Sequence, residues 1–118
     1  MGTKKKAIAT AYQIRLSQNA LQNINEITGY IAFINHQPMN AIKMGDAIFE
    51  TIDRIAQNPF AFKECEQLST KTKMYRQARC ASWYIIYKII ASNNNIVILG
   101  IIHTSNKLSK RKILRKVK

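Results

Sequence analysis

No carboxylate occurs after Glu66. The six acids (Glu26, Asp46, Glu50, Asp53, Glu64 and Glu66) share the first 66 residues with seven Lys/Arg, whereas residues 67–118 hold twelve Lys/Arg and no acid, within a net charge of +13. A stretch without acids is not an ordinary solvated face, on which both signs mix. It is expected to present an electropositive surface to an anionic partner, either nucleic acid or an acidic protein. Cysteine is equally scarce. Cys65 and Cys80 form no CxxC pair and have no companion His cluster, so two reduced thiols of a cytosolic protein are expected rather than a disulfide or a metal site. No His/Asp/Glu group has the spacing of a metal site, so neither a metal nor another cofactor is expected.

An uninterrupted apolar run of spanning length is also missing. The most apolar stretch, from Trp83 to His103, is broken by Lys88 and by Ser92-Asn93-Asn94-Asn95, so neither half reaches the ~18–20 residues of a membrane helix. Its halves are rich in Ile, Val, Tyr and Trp and are joined by a turn-prone cluster, which predicts two strands of a hairpin. The start of the chain, Met1 to Ala7, is basic but has no apolar segment behind it, and position 6 is Lys. Neither a secretory signal nor a myristoylation motif is therefore expected. The Gly-bearing aromatic motifs of common RNA-binding modules are absent, as are internal repeats.

What is present is periodicity. An apolar fraction of 47% over 118 residues suits one domain with one core. Residues 1–10 read as a flexible basic lead, 11–105 as the domain and 106–118 as a basic tail with weak amphipathic helical spacing. Tyr12, Ile14 and Leu16 alternate with polar residues, as in a strand with one buried face. Ser17 is placed to cap the helix that follows. Leu21, Ile24, Ile27, Ile31 and Ile34 recur at helical spacing, predicting a helix over 18–35 that ends at Asn35-His36-Gln37-Pro38. A second helix over 39–57 carries Ile48, Ile52 and Ile55 on one stripe and closes at Asn58-Pro59. The short link between the helices implies an antiparallel hairpin. Residues 60–73 read as a loop, and 74–80, 83–91 and 95–104 as a three-strand antiparallel meander. The expected fold is α+β: an N-terminal strand, then a helical hairpin packed on one face of a mainly antiparallel sheet (β-α-α-β-β-β), with the other face partly open.

The stretches YQIRLSQNALQNINEITGYI (12–31), AIFETIDRIAQNPF (47–60), YRQARCASWYIIYKI (75–89) and IVILGIIH (96–103) together resemble the RelE/ParE superfamily of toxins from bacterial type II toxin–antitoxin systems. The resemblance rests on their joint order and spacing. It implies a cytoplasmic bacterial growth inhibitor neutralised by a co-encoded antitoxin. RelE-like members cleave messenger RNA on the ribosome, whereas ParE-like members inhibit DNA gyrase and are not hydrolases. RelE-like toxins tend to carry Lys or Arg on the first meander strand, where Arg76 and Arg79 stand. They also tend to carry an Arg beside the aromatic that opens the next strand, in a pattern like YRLVY. Here that position is Tyr84. Basic, Tyr or His residues follow the last strand in many of the nucleases, and His103, Ser105 and Lys107 are available. The missing Arg tilts the reading toward a ParE-like topoisomerase inhibitor, with a RelE-like ribosome-dependent ribonuclease as the alternative. A non-toxic basic nucleic-acid-binding module is a third reading.

For a ribonuclease, a group must take the 2′-hydroxyl proton, cations must face the developing phosphorane charge, and an acid must serve the leaving oxygen. His103 is the acid/base candidate, Arg76 the phosphate holder, and Tyr84 a stacking or proton-donating group. Arg76 and Arg79 are three residues apart in a strand and so face opposite ways. Arg76 is preferred for the site, with its neighbour Tyr75 facing the helices. Arg79, Lys88, Lys107, Lys110 and Arg111 are candidates for contact with the target or with nucleic acid. His36 is assigned no role.

Overall fold

The computed structural model describes residues 11–106. Strand β1 (Gln13–Leu16) follows the expected alternation: Ile14 and Leu16 pack on the core while Gln13 and Arg15 are exposed. Helix α1 (Gln18–Gly29) starts where Ser17 leaves extended backbone and its Oγ accepts the Ala20 N–H at 3.0 Å, an N-cap bond. The helix runs on as a π-helical turn over Tyr30–Ile34, closed by the Asn35 N–H on the Tyr30 carbonyl at 3.1 Å. This wider turn changes the phase of the stripe. Ile24 and Ile27 are buried, but Leu21 at the start of the expected stripe and Ile34 at its end are 46% and 62% exposed, the latter as the last residue of the π turn. Helix α2 (Pro38–Gln57) uses the helix-breaking Pro38 as its first residue, where a missing N–H costs nothing, and buries Ile48, Ile52 and Ile55.

The meander forms as β3 (Tyr75–Cys80), β4 (Trp83–Ile90) and β5 (Asn95–His103). Asn94 takes the left-handed conformation that closes the β4–β5 turn, at φ 55° and ψ 42°. One further strand lies within the segment read as a loop: β2 (Lys63–Glu64) pairs with Gln77 and Arg76 of β3. Two residues carry no periodicity, so only the pairing defines this strand. Sheet order is β1-β5-β4-β3-β2, antiparallel except for β1, which runs parallel to β5 from Gln13↔Asn95 to Leu16↔Ile98.

The β4–β5 register shifts so that Ile86 faces Gly100 and Tyr87 faces Ile98, leaving Leu99 as a bulge. A bulge frees backbone groups from the ladder, and these need other partners. The start of α1 supplies them. Ser17 Oγ and Asn19 Nδ2 donate to the Leu99 carbonyl at 3.0 and 3.1 Å, and Asn23 Oδ1 accepts the Ile101 N–H at 2.9 Å. The polar edge of α1 is therefore stitched to β5 while its apolar edge enters the core.

One sheet face lies under both helices, where Ile24, Ile27, Ile48, Ile52 and Ile55 meet Ala78, Ile85, Tyr87, Ile96 and Ile98. The other face holds a smaller cluster, in which the segment carrying Cys65 and Leu68 covers Ile86 and Ile102, with Tyr75, Tyr84 and Leu99 beside them. Among the described residues that face is only half covered. Tyr75 belongs to it, which corrects the expectation that Tyr75 faces the helices and turns its neighbour Arg76 to the helix side.

Candidate binding face on the sheet

β3 and β4 set the candidate residues in a two-residue alternation. Arg79 pairs with Tyr84 across the strands, and its guanidinium lies 5.9 Å from the Tyr84 ring centre. Its Nε donates to the Ala81 carbonyl at 2.9 Å, which holds the side chain at the β3–β4 turn. Gln77, on the same face, pairs with Lys63 of β2. These four side chains, with Ala61 and Phe62, line a recess of about 390 Å³ that contains no carboxylate. Farther along this face, Lys88 Nζ lies 5.8 Å from the Tyr75 ring centre. The result is a shallow surface with two cations, an amide and a phenol in one recess and a third cation nearby. Such a set can hold an anionic group by charge-assisted hydrogen bonds and offer a ring for stacking. Lys63 was missed in the sequence because β2 has no pattern of its own.

Arg76 is committed elsewhere. It pairs with Tyr87 on the helix side, where its Nη1 donates to the Phe60 and Phe62 carbonyls at 3.1 and 2.9 Å and its Nε to the Lys73 carbonyl at 3.0 Å. Its guanidinium also lies 5.2 Å from the Phe60 ring centre. Arg76 ties the α2–β3 connection to the sheet. His103, at the end of β5, packs edge-on against Trp83 at 4.8 Å, and its Nδ1 contacts Ser105 Oγ at 2.7 Å and the Ser105 N–H at 3.0 Å. Because Tyr84 pairs with Ile102 and Trp83 with His103, Tyr84 and His103 project from opposite faces. Arg76 and His103 share the helix side but stand four β4 residues apart, roughly 13 Å along the strand. Arg76, Tyr84 and His103 do not converge. Lys107, Lys110 and Arg111, like the expected tail helix and basic lead, lie outside the described residues.

Among the described residues two groups have shifted acidity. The Tyr87 phenol is pushed well above its ordinary range by burial, slightly opposed by the Arg76 charge, and it donates to the Pro59 carbonyl at 2.6 Å. Burial likewise pushes the Cys65 thiol up, against backbone hydrogen bonds from Leu68 and Gln67. Both cysteines are free and buried. Among the described residues no His/Cys/Asp/Glu group could hold a metal ion, and no helix is long and apolar enough to cross a membrane.

Residues 14–108 match the family of ParE toxins of type II toxin–antitoxin (parDE) systems. The chain belongs to this family. Solved structures of similar fold include the RelBE2 toxin–antitoxin complex of Mycobacterium tuberculosis (17% identity, TM-score 0.56, covering 79% of this chain and 98% of that one). The chromosomal ParDE system of P. aeruginosa is similar at 15% identity and TM-score 0.62, over 81% and 99% of the two chains. A mutant E. coli RelE toxin in the free state is similar at 9% identity and TM-score 0.59, over 91% and 94%. Among curated proteins nothing matches. The chain is thus a type II toxin of RelE/ParE fold, and the half-covered cationic face is a surface of that toxin.

Proposed function

We propose that this toxin arrests growth by binding and inhibiting DNA gyrase without hydrolysing a substrate, and that a cognate antitoxin neutralises it. The observation that carries the reading is the separation of Arg76, Tyr84 and His103. A ribonuclease needs its acid/base group and its phosphate clamp within hydrogen-bond reach of one phosphodiester. Here the imidazole is on the helix side and the stacked Arg79–Tyr84 pair on the other. A surface that binds a target has no such requirement. The antitoxin's place is supported by the free end of the helical hairpin, where Tyr30, Phe33, Ile34, Met39 and Ile42 are all more than half exposed. An apolar patch of that kind is what a partner helix covers.

The Arg79–Tyr84 pair also favours a second reading, a RelE-like ribonuclease using that pair on messenger RNA. Two assays on the purified toxin separate them: supercoiling by gyrase, and cleavage of a defined message on translating ribosomes. Inhibited supercoiling with an intact message is expected, and loss of inhibition in Arg79→Ala would place the contact on the cationic face. Message cleavage with normal supercoiling overturns the proposal. Cleavage that needs His103 but not Arg79 would restore the imidazole to the site. Normal growth on expressing the chain without an antitoxin would refute both readings.

A further inference from the structure

A second recess, of about 310 Å³, opens between α1 and the end of the sheet where β4 begins and β5 finishes. It differs in chemistry from the cationic face. Glu26 of α1 and Tyr30, the first residue of the π-helical turn that continues it, line the recess together with Trp83, His103 and Asn106. The Glu26 carboxylate accepts from Gln22 Nε2 at 3.2 Å, its only side-chain partner among the described residues. The Ser105 N–H donates to His103 Nδ1, so a neutral ring keeps its proton on Nε2. The one carboxylate lining the recess shares it with the side chains of Tyr30, Trp83 and His103.

We propose that this recess takes the guanidinium of an arginine side chain presented by a partner protein. A carboxylate beside aromatic faces disfavours an anion and stabilises a cation twice, by ion pairing and by the ring quadrupoles. A guanidinium suits it better than an ammonium. It is planar, can bridge both carboxylate oxygens and stacks on a ring, and it is less costly to remove from water. The wider surroundings agree. Residues 18–57, which form the helical hairpin, hold four of the six acids and only Lys43 and Arg54 as cations, so a basic segment meets less repulsion here than on the sheet. The source is a protein segment, because apolar Ile27, Tyr30 and Ile31 line the recess beside Glu26, and Tyr30 and, one turn on, Ile34 are 58% and 62% exposed. A free guanidinium compound would leave that surface wet. Occupancy of this recess is independent of the target that the toxin inhibits, and binding alone tests it.

Trp83 is the sole tryptophan and lines the recess, so its fluorescence reports occupancy directly. The full chain is titrated with N-acetyl-arginine methylamide, with its lysine counterpart, with adenosine monophosphate, and with a short helical peptide bearing one Arg and two Leu a turn and two turns away. Saturable changes are expected with both arginine probes, with the peptide at least about tenfold tighter and Glu26→Gln weakening both about tenfold. Tyr30→Ala should weaken the peptide more than the capped residue, and unchanged far-UV circular dichroism certifies the fold of each variant. Saturation by the nucleotide and not by arginine overturns the assignment, as does binding indifferent to Glu26→Gln. Equal affinity for peptide and capped arginine would overturn the protein source and make the ligand a free guanidinium compound. Gyrase inhibition is left untouched by any of these outcomes.

Discussion

Tyr87→Phe tests how the connection after α2 is held to the sheet. The ring is fully buried, lies edge-on to Phe62 at 6.4 Å, and its hydroxyl donates to the Pro59 carbonyl at 2.6 Å. Phenylalanine keeps the ring contacts and removes only the donor, leaving a buried carbonyl unsatisfied. That costs about 1–3 kcal/mol, which for a domain of this size lowers Tm by roughly 5–15 °C. Alkali adds a second signature. The phenol is held above its ordinary range in the folded state because burial penalises its charge, while in the unfolded chain it ionises near ~10. The sign follows from proton counting: above that value the unfolded state binds fewer protons than the folded state, so stability falls as pH rises. The stabilising contribution is fully present below ~10 and is lost progressively above it. The variant has no such loss. The stability gap between wild type and Tyr87→Phe should therefore narrow by about 1 kcal/mol between about pH 8 and about pH 11. Urea unfolding followed by far-UV circular dichroism measures both quantities. A gap below about 0.5 kcal/mol near neutral pH, or one that stays constant into alkali, would refute the reasoning.

Arg76→Ala should destabilise the fold by about 1–3 kcal/mol, because three backbone carbonyls lose a charged donor. Its effect on growth arrest should track the fraction folded, as read by melting curves beside a toxicity assay; full stability with lost toxicity would return Arg76 to a direct role. The Cys65 thiol, buried and pushed up in pKa, should react with iodoacetamide in native protein at least about tenfold more slowly than in urea, as followed by mass spectrometry. Equal rates would show that the Cys65–Leu68 cover opens freely.

Local chemistry is what the sequence by itself determined. Ser17 has the hydroxyl of an N-cap, Pro38 the ring that begins a helix, and Asn94 a side chain that tolerates left-handed backbone. Period two and period 3.6 then place β1, both helices and the meander, because these signals act between neighbours along the chain. The family resemblance was legible for the same reason, in the joint order of core patterns. Tertiary structure alone decided the rest. β2 exists only because β3 offers an edge; Ile34 leaves the core because a π turn shifts the helix phase; and the Leu99 bulge is held by groups about eighty residues away in sequence. The candidate site depends on which face of a strand points to solvent. Alternation separates Arg76 from Arg79 but does not say which face the helices cover. Packing of the isoleucines against α1 and α2 made that choice, sending Arg76 to backbone carbonyls and leaving Arg79, Tyr84 and Lys63 together on the half-covered face.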